Sequence, residues 1–91
     1  MPSMMKNLMD DFYDLQEKSS DFEYRMFIDY AISYANNCHG MTSMDTLNMV
    51  ESTIDGVLAD PKKFDVNDSG FKALEDAKLI VSMHREEFLN I

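Results

Sequence analysis

Ninety-one residues carrying 17 acids against 8 bases, a formal charge of −9, with 45% hydrophobic content, describe one small acidic domain with enough apolar surface for a single modest core. That balance excludes a disordered chain and a broad phosphate-binding surface, which needs cations to displace the counterions of a nucleic acid. No stretch approaches the roughly 20 apolar residues of a membrane span, and Asp10, Asp11 and Asp14 interrupt any secretory leader.

The first predicted helix spans about 3–18. Met5, Leu8, Met9, Phe12 and Leu15 share one face at about 100° per residue, and Asp10, Asp14 and Glu17 line the opposite one. Ser19-Ser20-Asp21 breaks this helix with oxygens suited to capping the next, which starts at Ser20 or Asp21 and runs over 21–38, with Gly40 as its left-handed close. Its main apolar stripe is Tyr24, Phe27, Ile28, Ala31, Tyr34, Ala35 and Cys38. A second stripe, Phe22, Met26 and Tyr30, recurs every four residues on another face, as either a further core layer or a self-association surface.

Thr42, three residues before Asp45, approximates a capping box for a third helix over 43–59 that turns Leu47, Val50, Ile54, Val57 and Leu58 inward. Gly56 is an unfavourable helix residue, and its presence there points to a close approach. Asp60-Pro61 ends the helix. Phe64 and Val66 pin the one long connection, 60–68, to the core. Asp68 or Ser69 caps a fourth helix over 69–90, with Leu74, Ala77, Val81 and Phe88 on its core side and Leu79, Ile80 and Met83 elsewhere. No strand or repeat is legible. The expected fold is all-α, a small four-helix bundle or orthogonal helical array.

Catalytic constellations are sparse. A nucleophile needs an adjacent base, and a metal needs three or four ligands. The histidines, His39 and His84, do not combine with Cys38 or Glu87 in local sequence to supply either. His39 reads as a capping residue at the end of the second helix, where the dipole favours an imidazolium. His84, beside Arg85, Glu86 and Glu87, reads as solvated or ion-paired. Cys38 reads as a small buried hydrophobe in a reducing cytoplasm. Residues 65–70, Asp-Val-Asn-Asp-Ser-Gly, match the opening of a calcium loop. The match then fails at Lys72, where an apolar residue belongs, and at Asp76, where a bidentate Glu is usual, and Pro61 breaks the incoming helix. No enzyme, metal or cofactor is expected.

The charge distribution is the sharper signal. Residues 7–60 hold eleven acids and only Lys18 and Arg25, which places the full net charge there, and 26–61 contain no Lys or Arg. A helix-turn-helix reading of the second and third helices fails on this ground, because a recognition helix must approach phosphates. An anionic surface instead favours basic partners. The expected partner-binding face comprises Asp10, Asp14, Glu17, Asp21, Asp45, Glu51 and Asp55, with Phe22, Met26 and Tyr30 available for self-association. The nine methionines, residues as suited to adaptable binding surfaces as to irregular cores, are consistent with binding.

Short, acidic and helical, without enzyme signatures, the chain resembles in composition phage-encoded inhibitors of host defence or transcription and DNA-mimic proteins. The resemblance implies a cytoplasmic inhibitor or modulator, in a bacterial or phage-infected cell, docking on a basic surface of a nucleic-acid-binding or nuclease complex. Direct contact with nucleic acid or membrane is not expected. The alternatives are a homo-oligomeric structural or adaptor module, with a homodimer as its simplest form, and a toxin-immunity-type inhibitor.

Overall fold

Amphipathic spacing and capping side chains divide the chain into four helices. The computed structural model describes residues 4–90, with side chains from Lys6 onward. Helix α1 covers Met4–Lys18, α2 Phe22–Asn36, α3 Ser43–Ala59 and α4 Asp68–Leu89. The described residues are therefore all-α, as the periodicity predicts, and none of their helices is long and apolar enough to cross a membrane. The predicted start at Ser3 and the Met5 side chain lie outside what is described.

Two caps fall where their chemistry predicts. Asp21 accepts from the Tyr24 N–H at 3.2 Å, and Thr42 accepts from the Asp45 N–H at 3.2 Å. Helix α4 is a correction: its cap is Asn67, whose side-chain oxygen accepts from the Gly70 N–H at 2.8 Å. Asp68 is already helical, and Ser69 instead donates its hydroxyl to Asp21 at 2.7 Å. Helix α2 also ends two residues early. Its last turn tightens, with the Cys38 N–H on the Ala35 carbonyl at 3.1 Å, so His39 is exposed in the turn beyond and does not cap the helix. Gly40, at φ +87°, is left-handed as expected but does not close the helix: Asn37 is the C-cap, and Gly40 lies in the following turn, where the Met41 N–H bonds the Cys38 carbonyl at 3.0 Å.

The buried side chains form one cluster drawn from all four helices. Helices α2 and α4 make the central pair, and α1 and α3 flank it, each touching both central helices and scarcely one another. Alanines at 31, 35, 73 and 77, all fully buried, keep α2 and α4 slim and let the two helices approach closely. Leu8 and Phe12 enter from α1, and Leu47, Val50 and Ile54 from α3. Ile32 and Thr46 are buried as well, beyond the predicted stripes.

Two expected core residues lie outside it. The Val66 N–H bonds the Pro61 carbonyl at 2.8 Å, closing a turn that directs Val66 against the core and Phe64 outward. Phe88 is exposed because α4, at 22 residues, outruns the 15- to 17-residue helices it packs on. Gly56 is a further correction. A Cβ built there meets nothing within 4 Å, so no close approach requires glycine. Gly56→Ala is therefore expected to stabilise the protein by about 1 kcal/mol and raise Tm by about 4–8 °C, measurable by thermal denaturation followed by circular dichroism.

Candidate functional site

Burial of Leu8 and Phe12, with Met9 and Leu15 half-buried beside them, fixes the rotation of α1 about its own axis. Asp10, Asp14 and Glu17 are consequently exposed on its outward face. None of the three makes a salt bridge among the described residues. Tyr13, which composition and stripe counting did not single out, is 46% exposed on the same side of the helix, one turn from Asp10 and from Glu17.

Two polar clamps hold this face in place. Toward α2, the Gln16 amide donates to the Arg25 carbonyl at 2.9 Å and to the Asp29 carboxylate at 2.6 Å. Toward α4, His84 Nε2 lies 2.6 Å from an Asp11 carboxylate oxygen. Of the two readings of His84, the solvated one is corrected. The side chain is 8% exposed and is bonded to Asp11 across the α1–α4 contact.

The remaining predicted acids lie elsewhere and are largely engaged. Asp21 is held below the ordinary carboxylate range by the Ser69 hydroxyl and the Tyr24 N–H, so its charge serves the α2–α4 junction. Glu51 forms a two-point pair with Arg85 at 3.0 and 3.1 Å, and Asn48 takes a further guanidinium N–H at 3.0 Å. Asp55 holds Lys78 at 2.6 Å, and that bond raises the amine above its ordinary range. Asp45 is exposed in the first turn of α3. Because α1 and α3 sit on opposite flanks, the structure does not bring the seven acids together. The α3 row is in large part neutralised by α4, and the unneutralised stripe belongs to α1.

The second apolar stripe also divides. Met26 is half-buried against the core, and the Tyr30 ring packs edge-on against Phe27 at 5.1 Å between centroids. Phe22 is 74% exposed, at a surface groove of about 280 Å³ lined with Gln16, Arg25, Met26 and Asp29. Arg25 makes no side-chain hydrogen bond or ion pair among the described residues.

No group of three potential metal ligands is assembled among the described residues. The glycine of the calcium-like stretch is explained by packing instead: Gly70 is buried, and a Cβ there would stand 2.6 Å from the Phe27 ring. Cys38 donates its thiol to the Tyr34 carbonyl at 3.3 Å, and burial pushes its pKa up, which disfavours the nucleophilic thiolate. Comparisons with protein-family models, with curated proteins and with solved structures found no match, so the functional reading rests on this chain's own residues.

Proposed function

We propose that this chain is a non-enzymatic binding protein that docks the acidic face of α1 on a basic surface of a nucleic-acid-handling protein, as an inhibitor or modulator of the DNA-mimic kind. The observation that carries the reading is the unneutralised row Asp10, Asp14 and Glu17 on a helix whose rotation and position are fixed by Phe12, Gln16 and Asp11. Carboxylates about 5–6 Å apart along a rigid axis present negative charge as a phosphate backbone does. Pre-positioning spares them the ordering cost that flexible acids meet on docking. Tyr13 adds a rigid aromatic of the type that anchors interfaces, set among the charges.

An electrostatic contact of this kind must weaken as salt screens it. The immobilised chain is expected to retain a basic nucleic-acid-binding protein from a cell lysate. It should release that protein as salt rises from about 50 to 300 mM and surrender it to competing duplex DNA. Retention that ignores both salt and DNA would overturn the reading.

A further inference from the structure

We infer that the outward face of α2 joins two copies of this chain in an antiparallel, two-fold symmetric pair. This face is distinct from the acidic stripe of α1. It carries Phe22, Arg25, Met26, Asp29, Tyr30 and Ser33, of which all but Met26 are exposed. Arg25 and Asp29, four residues apart, lie along one edge. They do not pair with each other: Asp29 holds Gln16, and Arg25 has no ion pair among the described residues. Met26 and Tyr30 repeat the same four-residue step along the other edge, and Phe22 and Ser33 lie at the two ends.

These three pairs share a midpoint close to Phe27 and Ile28. An isologous contact sets residues against one another symmetrically about its axis. A two-fold axis crossing α2 at that midpoint therefore brings Arg25 of one copy against Asp29 of the other, twice, along one edge. It brings Met26 against Tyr30, twice, along the other edge, and covers each exposed Phe22 with Ser33 and the helix around it. The contact is charge-complementary to itself. It also carries no net charge on a chain whose formal charge is −9, so the contact itself adds no like-charge repulsion between the copies. A basic partner fits this face poorly, because Arg25 lies in its groove.

The test is sedimentation equilibrium of the intact chain over about 1–500 µM, a range that spans the dissociation constants of contacts of this size. Wild type is expected to show a monomer–dimer equilibrium. Arg25→Asp and Asp29→Arg each set like charges opposite one another and should weaken dimerisation about tenfold or more. Mixing the two variants should restore it, since R25D presents two carboxylates along the edge and D29R two guanidiniums. An interaction within one helix predicts no such recovery. Phe22→Asp gives a second check that does not disturb the Gln16 bond, and it should also abolish the dimer, because a side chain 74% exposed in the monomer is not needed for folding. A wild-type monomer across the range, a mixture that stays monomeric while both variants retain wild-type helicity, or a dimer that survives F22D would each overturn the inference.

Discussion

Reversing Asp10, Asp14 and Glu17 together to lysine is expected to weaken binding to a basic partner about a hundredfold or more while leaving helicity intact. All three side chains are exposed and free of salt bridges among the described residues, so their replacement breaks no contact that holds α1. Lysine is as good a helix former as glutamate and better than aspartate. What changes is the sign of the field over a stretch of helix about as long as the Debye length at physiological salt, so attraction becomes repulsion at contact range. Asp45 offers the internal control. It lies on α3, on the far flank of the central pair, and its reversal should leave binding near the wild-type value. Glu51 and Asp55 are unsuitable controls, since reversing them breaks the Arg85 and Lys78 clamps as well. Affinity measured by titration calorimetry, with circular dichroism to monitor folding, separates these outcomes. Undiminished affinity after the triple reversal removes the acidic face from the function.

The second large effect is expected at Gly70. Adding one methyl group there places a carbon 2.6 and 2.7 Å from two atoms of the Phe27 ring. The ring is 3% exposed and already braced edge-on by Tyr30, so it cannot swing aside without repacking the α2–α4 contact. Overpacking of this kind costs about 1–3 kcal/mol, and contacts as short as 2.6 Å put it above the lower end, whereas the roughly 1 kcal/mol that alanine gains over glycine in a helix interior is reduced in the first turn, where Gly70 lies. Gly70→Ala should therefore lower the midpoint of urea denaturation, whereas the same substitution at Gly56 raises it. The penalty should shrink in a Phe27→Leu background, because the two positions share one volume. A neutral or stabilising G70A would show that α4 can lift away from α2 at little cost.

Much of this architecture is legible in the order of residues. Thr42 before α3 and Asp60-Pro61 after it place both its ends on the observed residues, and Asp21 announces α2 by side-chain chemistry in the same way. The outward direction of Asp10, Asp14 and Glu17 follows from the burial of Leu8 and Phe12 on the other side of the same helix. His84 was within reach too. It continues the buried series Ala77, Val81 at helical spacing, but its charged neighbours suggest solvent, and position on the face outweighs neighbours along the chain. The clamps of Arg85 on Glu51 and Lys78 on Asp55 depend on which helices lie side by side, and that is set by packing among distant segments. For the same reason the acids of α1 and α3, continuous in a charge count, end on opposite flanks. Phe64 shows the limit of hydrophobicity as a guide: a turn closed by the Pro61 carbonyl decides which of two nearby apolar residues faces inward.

The two helices at the centre are separated in the chain by the whole of α3. Tyr24 donates to Asp76 at 2.7 Å and Asp21 accepts from Ser69 at 2.7 Å, each across about fifty positions of sequence. Forming the middle of the molecule therefore requires a long loop to close, with its entropic cost met before the alanine-lined contact gives anything back. Helices that meet their sequence neighbours first, α1 on α2 and α3 on α4, face no such delay. The chain should accordingly collapse as two hairpins whose docking limits the folding rate, slower than a bundle of the same length built only from adjacent pairs.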